Sequence, residues 1–184
     1  VSSAQEIFVN TMYFKGDWES TFNSAKPDQK FWDKKADLMT QTSNFEQVKT
    51  ERSQVIKMPF KDGSSMIAFL PDSDLSVTIK EANQLLKNPN SIRFWQSSKV
   101  KLTFPKFETE STADGIWVKL WIDVDVIQKS KVTVDETWAK AAAASWVNMR
   151  SVSVDPELKF DKPFYYAIQD KTGNVHFIGR YEGK

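Results

Sequence analysis

The most informative stretch of the chain is Val132-Thr133-Val134-Asp135-Glu136-Thr137-Trp138-Ala139-Lys140-Ala141-Ala142-Ala143-Ala144-Ser145. Val132 and Val134 alternate with polar residues, a pattern typical of a half-buried strand. The strand runs directly into five alanines interrupted by Lys140. Because alanine is the best helix former, the plain interpretation of this tract is a short, exposed helical turn.

The same tract has a second interpretation as an extended strand. In a strand, alternation places small side chains on one face and Lys140 on the opposite face, where its charge stays solvated. A face of small side chains suits a strand that slides between two packed neighbours. The residues of this small face are Ala139, Ala141, Ala143 and Ser145.

Strand patterns dominate the rest of the chain, and helix patterns are scarce. Asp62-Gly63 is a strong hairpin signal between two apolar runs. The best helix candidate is Thr78–Leu86, which starts with capping-box spacing and ends at Asn88-Pro89. The sequence therefore predicts an α+β fold, predominantly antiparallel or mixed β-sheet with few helices. The segments with strand patterns are Ile7–Phe14, Val55–Phe60, Ser65–Leu70, Val100–Phe104, Phe164–Gln169 and Val175–Gly179.

Composition indicates one globular domain spanning residues 1–184, with two small domains as the alternative. A chain of 184 residues that is 40% hydrophobic can bury one sizeable core. The formal charge of +1 gives no long-range attraction to nucleic acid or to an anionic membrane. The basic runs Lys26–Lys35 and Lys99–Lys106 are interrupted or followed by acids, so we expect solvated faces there. No apolar run approaches the roughly 20 residues of a membrane helix.

The same composition excludes most catalytic chemistry from this chain alone. There is no cysteine, and His176 is the single histidine. A catalytic triad, a thiolate zinc site and a multi-histidine metal site therefore cannot be assembled. The carboxylates of Asp72, Asp74, Asp123 and Asp125 have no partner base or nucleophile in the pattern, so we expect solvated side chains. We expect no enzymatic activity, no metal and no cofactor.

Several short motifs, in a consistent order, resemble those of the serpin family of serine protease inhibitors. Each motif is weak alone, but together they span nearly the whole chain. The alanine tract and Pro163-Phe164 are similar to the reactive-centre loop and the strand that follows it. The remaining motifs are Asn10-Thr11-Met12-Tyr13-Phe14-Lys15-Gly16-Asp17-Trp18 with Phe22, Met58-Pro59-Phe60 with Met66 and Leu70-Pro71, Phe104-Pro105-Lys106-Phe107, and Phe177-Ile178-Gly179-Arg180.

The resemblance implies a suicide-substrate inhibitor whose reactive loop covers about residues 136–159. A protease cuts the loop and forms an acyl-enzyme, and the loop then inserts into the main sheet as a further strand. The resemblance also implies that Ile7–Phe14 and Val124–Thr137 are the strands that receive it. The implied hinge comprises Glu136, Thr137, Trp138, Ala139, Lys140, Ala141, Ala142, Ala143, Ala144 and Ser145.

Counting along the family's loop from Glu136 places the reactive bond between Val152 and Ser153, and counting back from Phe160 gives the same bond. A small β-branched residue such as Val152 suits the shallow pocket of an elastase-like protease. If the register slides, Arg150 and Met149 are the alternative sites, for trypsin-like and chymotrypsin-like enzymes respectively.

The chain departs from the family pattern in three ways. It resembles only the C-terminal half, and its first residues lack the features of a signal peptide. Between Phe107 and Val132 it has one segment, including an apolar run over residues 115–122, where the family has a helix and a connection. In the hinge, Trp138 stands where the family has glycine, which removes backbone freedom at the pivot, and Thr137 replaces an acid.

Three hypotheses about function follow. The first is inhibition of a serine protease by loop insertion. The second is a non-inhibitory serpin-derived binding module or fragment, cleaved without trapping the protease. The third is an unrelated β-rich domain whose seven tryptophans line a ligand groove. The resemblance further implies a secreted, extracellular protein, and missing sheet strands predict self-association through open edges.

Overall fold

Ten β-strands account for nearly all the regular structure in the computed structural model, which describes residues 7–73, 75, 80–82, 84, 86, 96–114, 125–136 and 155–184. The strands are β1 (Ile7–Lys15), β2 (Lys26–Phe31), β3 (Lys34–Lys49), β4 (Ser53–Pro59), β5 (Ser65–Pro71), β6 (Gln96–Asp114), β7 (Asp125–Val134), β8 (Glu157–Lys159), β9 (Phe164–Gln169) and β10 (Val175–Tyr181). The predicted mixed sheet with few helices is confirmed. Of the predicted helix Thr78–Leu86, residues 80–82, 84 and 86 are described, and all are helical.

The chain divides into two compact units. The first contains Val1–Gly16 and Phe107–Val134, and the second contains Asp17–Lys106 and Asp135–Lys184. In the first unit, β1 pairs in parallel with β7 over nine residues, from Ile7↔Asp125 to Lys15↔Thr133. The end of β6 pairs antiparallel with β7. These β1 and β7 strands are the two that the resemblance implies for receiving the loop.

In the second unit, the strand order is β6-β3-β4-β5-β9-β10, with β2 paired to β3 and β8 paired in parallel to β6. The two apolar runs on either side of Asp62-Gly63 form the central strands β4 and β5. All seven residues of β5 are buried, and β4 and β9 pair with the strand on its two sides. Helical Ala82 packs on Val55, Ile67, Phe69 and Tyr165.

The predicted hairpin between β4 and β5 forms at Asp62-Gly63. Gly63 has φ +85°, which glycine adopts without strain, and the Phe60 amide donates to the Ser64 carbonyl at 2.8 Å. The β9–β10 hairpin also forms where it was predicted. There, a Cβ on Gly179 would lie 2.4 Å from the Tyr166 ring, so the strands pack closely only because residue 179 lacks a side chain.

The pattern analysis missed β2 and β3, because it identified no strand over residues 26–49. β3 is sixteen residues long and changes partner along its length: β2 at its start, β4 at its end, and β6 along most of it. Its burial therefore does not alternate, and no single periodicity marks it. The expectation of solvated lysines in this region is confirmed, since Lys26, Lys30, Lys34 and Lys35 are exposed.

Candidate functional site

Most of the predicted site residues lie outside the residues that the structure describes. These are Thr137, Trp138, Ala139, Lys140, Ala141, Ala142, Ala143, Ala144, Ser145, Met149, Arg150, Val152 and Ser153, and their assignments stay predictions. Glu136 is described. We call residues 137–154 the candidate reactive loop, Asp135–Glu136 its N-terminal stem, and Asp155–Phe160 its C-terminal stem. Both stems belong to the second unit.

Two side chains hold the N-terminal stem. The indole nitrogen of Trp18 donates a 2.9 Å hydrogen bond to the Asp135 carbonyl. Trp18 is 1% exposed and stacks on Phe60 with ring centroids 4.4 Å apart, so this donor has a fixed direction. Trp18 is brought here by an isolated bridge to Phe60 and not by a long strand. The stem therefore rests on a rigid, buried anchor.

An ion pair forms the second contact of the N-terminal stem. Lys106 Nζ lies 2.8 Å from Glu136 Oε2. The contact has the distance of an ion pair without the angles of a hydrogen bond, and within the described part of the chain no other donor reaches that buried oxygen. The Glu136 carboxylate raises the pKa of Lys106 above its ordinary value of 10.5, against a smaller opposing effect of desolvation. Lys106 thus stays positively charged at neutral pH.

The C-terminal stem is held mainly by its backbone. β8 pairs in parallel with β6 in the register Lys101↔Glu157, Leu102↔Leu158 and Thr103↔Lys159. The Lys101 amide donates to the Pro156 carbonyl at 2.9 Å, and the Phe160 amide donates to the Thr103 carbonyl at 2.9 Å. These hydrogen bonds extend the ladder at both ends of a three-residue strand.

Buried side chains reinforce the C-terminal stem. Leu158 is 5% exposed and Phe160 is fully buried. The Phe160 ring lies 5.0 Å from Phe104 and 5.0 Å from Phe164, both in edge-to-face geometry. The stem therefore ends in an aromatic cluster that joins β6, β9 and the stem itself. Burial of such a ring stabilises the stem far more than a surface ion pair does.

Exposed ion pairs follow the same register on the surface of the C-terminal stem. Lys99 pairs with Asp155 at 3.1 Å, and Lys101 pairs with Glu157 at 3.2 Å. These acids were not singled out from the sequence. The lysines at positions 99 and 101 and the acids at 155 and 157 share a spacing of two, which is the signal that could have found a parallel pairing.

Both stems are thus anchored on the same strand, β6. Lys106 binds the N-terminal stem, whereas Lys99 and Lys101 bind the C-terminal stem. Lys99 and Lys106 are seven residues apart along β6, and a strand of that length spans about 23 Å. The eighteen residues of the candidate reactive loop therefore leave and rejoin one strand of the second unit at two separated points. The role of Lys106 was also missed, although the motif that contains it was recognised.

The strands that the resemblance implies as acceptors lie in the first unit. β1 and β7 pair directly, with no strand between them over nine residue pairs. On β7, Lys131 pairs with Glu108 and Glu110 of β6 at 2.6 and 3.0 Å. These two carboxylates raise the pKa of Lys131. Tyr13 on β1 is 60% exposed.

A groove of about 600 Å³ lies beside the start of β8. Its described lining consists of Gln47, Val48, Lys49, Gln54, Gln96, Val100, Pro156, Glu157 and Leu158, and none of these is a tryptophan. Of the other tryptophans, Trp18 is buried and Trp32 is 60% exposed at a hairpin tip. The described residues therefore give no support to a groove lined by tryptophans.

The remaining polar candidates have structural roles. His176 lies on the exposed side of β10, with Nε2 3.0 Å from Asp170 Oδ2. Hydrogen bonds from Thr172, His176 and Asn174 lower the pKa of Asp170 well below its usual range, which fixes the β9–β10 turn. Asp72 pairs with Lys49 in solvent. Within the described ranges, no three acidic or histidine side chains are grouped so that they could hold a metal ion.

Comparison with known proteins agrees with the motifs. The sequence model of the family "Serpin (serine protease inhibitor)" matches residues 2–115 and 122–183. Residues 116–121, between the two matched stretches, lie in the apolar segment that the resemblance left unplaced. Across the described residues, no helix combines the length and apolar character needed to cross a membrane.

Two curated relatives illustrate the similarity. Serpin B3 of Homo sapiens is 28% identical over 218 residues, which cover 98% of this chain and 56% of the relative. Antitrypsin of Bombyx mori is 31% identical, covering 97% of this chain and 55% of the relative. The chain therefore spans little more than half the length of these relatives. A match of 218 residues exceeds the 184 present here, so the relative has residues within that span that this chain lacks.

Solved structures show the same fold at low identity. The crystal structure of Serpin48 from the insect Tenebrio molitor is 22% identical, with a TM-score of 0.70 over 98% of this chain and 57% of that one. The structure of native protease nexin-1 with heparin is also 22% identical, with a TM-score of 0.74 over 96% and 56% of the two chains. The third hypothesis, an unrelated β-rich domain, is wrong. The chain belongs to the serpin family.

Proposed function

We propose that the chain is the reactive-loop part of a serpin-type serine protease inhibitor and acts as a suicide substrate. The observation that carries this proposal is the pair of stems on β6, with Lys106 on Glu136 at one end of the loop and Lys99 on Asp155 at the other. Two fixed ends separated by about 23 Å and joined by eighteen residues suit a loop that is presented to a protease. The inhibitor itself has no catalytic role.

The proposed reaction starts at the bond between Val152 and Ser153. The serine hydroxyl oxygen of the protease attacks the Val152 carbonyl carbon, and the protease's histidine accepts the hydroxyl proton. The C–N bond then breaks, the Ser153 nitrogen takes that proton and leaves as a new amine, and Val152 remains as an ester on the protease. Hydrolysis of this ester would release the protease, so inhibition requires a step that is faster.

That step is insertion of the cleaved loop between β1 and β7. The nine-residue ladder from Ile7↔Asp125 to Lys15↔Thr133 has to open, and the inserted strand then pairs on both sides. One ladder is replaced by two, and each added hydrogen bond contributes about 0.5–1.5 kcal/mol. The small face formed by Ala139, Ala141, Ala143 and Ser145 suits a strand placed between packed neighbours.

The test is incubation of the chain with elastase, trypsin and chymotrypsin, followed by denaturing gels and intact-mass measurement. We expect a covalent adduct with elastase and a released peptide that begins at Ser153. Val152→Arg should transfer the reaction to trypsin. Arg150→Gln is the matched control, because it removes the competing basic residue without changing the proposed bond. An adduct formed at Arg150 or Met149 would move the reactive bond to that position.

A second function is favoured by the hinge. Trp138 occupies the pivot, where glycine would give the backbone more freedom. If insertion is slower than deacylation, the chain is cleaved without trapping the protease and acts as a non-inhibitory binding module. Cleavage at Val152 with no adduct, unchanged in Trp138→Gly, supports this second function. An adduct that appears only in Trp138→Gly identifies the pivot as the cause.

Three further properties belong to the proposal. The chain acts in the extracellular space, where it meets a serine protease with an elastase-like pocket. It self-associates through sheet edges, and size-exclusion chromatography with light scattering tests this directly. A stable monomer at micromolar concentration would remove self-association from the proposal and leave the inhibitory mechanism unaffected.

A further inference from the structure

Trp32 combines two features that stability alone does not explain. It lies in the turn between β2 and β3 with φ +52°, a left-handed conformation that is strained for a bulky side chain. Its side chain is nevertheless 60% exposed, so the indole gains little burial in return. Glycine or asparagine adopts this conformation at lower cost. The fold therefore holds an exposed aromatic ring at a position where a smaller residue would be more stable.

The backbone of Trp32 is fixed against the C-terminal stem of the candidate reactive loop. Its amide donates a 2.7 Å hydrogen bond to the carbonyl of Asp161, the residue that directly follows the stem. The Asp161 carboxylate in turn pairs with Lys159 of β8 at 3.2 Å. The hairpin tip is thus tied to β8 through Asp161, which accepts the backbone hydrogen bond of Trp32 and pairs with Lys159.

The proposed reactive bond is within reach of this tip. Eight residues separate Ser153 from Asp161, and eight fully extended residues span at most about 29 Å. A protease of about 220 residues has a radius of gyration of roughly 17 Å, so its width is comparable with this maximum distance. A protease engaged at Val152–Ser153 is therefore large enough to reach the region that carries Trp32.

The charges around the tip indicate the chemistry of the surface that Trp32 meets. Lys30 and Lys35 lie directly opposite each other on β2 and β3, and both are exposed. Like charges in this position repel each other. Among the described residues neither lysine has an acidic partner, and Lys34 adds a third positive charge beside the turn acid Asp33. An acidic surface with an apolar depression would relieve the repulsion and cover the indole.

From these observations, and resting on the proposed function, we infer that Trp32 with Lys30 and Lys35 forms a second contact for the target protease, outside the reactive loop. The partner surface is an apolar depression on the protease with carboxylates at its rim. Tryptophan is enriched among the residues that dominate binding energy in protein interfaces, and complementary charge mainly accelerates association.

The experiment compares cleavage of the full chain at Val152–Ser153 with cleavage of a synthetic peptide of residues 145–157, using the same protease. We expect Trp32→Asn to lower the second-order rate constant for attack of the protease on the chain about tenfold. Its Tm should equal or exceed that of the unchanged chain, because strain is relieved. The unchanged chain should lose its advantage over the peptide in 1 M salt. Ile178→Asn is the matched control, since Ile178 is a similarly exposed apolar residue on β10.

The other outcomes distinguish failure of the second contact from failure of the proposed function. If Trp32→Asn is cleaved as fast as the unchanged chain, the second contact is wrong and the proposed function stands. If its Tm falls by several degrees, the indole has a structural role and the inference is equally wrong. If the unchanged chain is not cut at Val152–Ser153, the proposed function fails, and the inference fails with it.

Discussion

The two stems of the candidate reactive loop are held by different kinds of contact. The N-terminal stem depends on two side chains, the Trp18 indole and the Lys106 ammonium. The C-terminal stem depends on a parallel backbone ladder, the buried side chain of Leu158, and Phe160 inside an aromatic cluster. Side-chain contacts of this kind can be released one at a time, whereas the ladder and the aromatic cluster are lost together.

This difference matches the direction of the proposed mechanism. Insertion begins at the N-terminal side of the loop, so that stem has to change its contacts while the C-terminal stem stays in place. A glutamate-specific protease can measure the two stems independently, because Glu136 belongs to one and Glu157 to the other. The comparison predicts faster cutting at Glu136 than at Glu157 in the unchanged chain.

The largest expected effect is on the C-terminal stem. Phe160→Ala removes a fully buried ring from contact with Phe104 and Phe164. We expect the free energy of unfolding to fall by about 3–5 kcal/mol, measured by denaturant titration. Cutting at Glu157 should rise sharply. Ile178→Ala, which truncates an exposed residue, should change stability little. Equal effects of the two variants would show that the aromatic cluster does not hold the stem.

A smaller effect is expected where Trp18 holds the N-terminal stem. Trp18→Phe keeps a ring that can stack on Phe60 but removes the donor to the Asp135 carbonyl. The lost hydrogen bond should cost about 1–3 kcal/mol. Cutting at Glu136 should rise several-fold, with little change at Glu157. A matching rise at both glutamates would mean that the stems are coupled and that the comparison is wrong.

The two lysine contacts on β6 allow a matched comparison at lower energy. Lys106→Met removes the partner of Glu136, and Lys101→Met removes the partner of Glu157. Both pairs are partly or largely exposed, so we expect losses of about 1 kcal/mol or less for Lys106→Met and about 0.3 kcal/mol for Lys101→Met. Cutting at Glu136 should become faster in Lys106→Met, whereas cutting at Glu157 should be unchanged in Lys101→Met.

The smallest effect is a dependence on pH confined to the N-terminal stem. The pKa of Lys106 is raised in the folded chain, so its contribution to stability is fully present below the ordinary value of 10.5. That contribution is lost as the pH rises through the raised pKa. The rate of cutting at Glu136 relative to that at Glu157 should therefore increase above about pH 10.5, and Lys106→Met should abolish this increase. An increase of the same size in the variant would mean that another titrating group causes it.

The sequence predicted the elements whose signals are local. β9 occupies the predicted residues Phe164–Gln169, and the Asp62-Gly63 turn joins the two predicted strands. β3 was missed, although it is sixteen residues long. Its neighbours change along the strand, so its burial has no period that a window of sequence can detect. The end of β7 was predicted at Thr137, whereas the strand ends at Val134.

The sequence by itself determined the family and the sheet-rich fold class, because motifs in a fixed order and local patterns carry that information, and it predicted the position of the candidate reactive loop. Only the tertiary structure revealed what holds the loop's ends. Trp18 and Asp135 are 117 residues apart, and Lys106 and Glu136 lie on segments that meet only after folding. Trp32 appeared in the sequence as one tryptophan among seven. Its strained backbone, its exposure and its bond to Asp161 depend on contacts between distant segments, which no local pattern encodes.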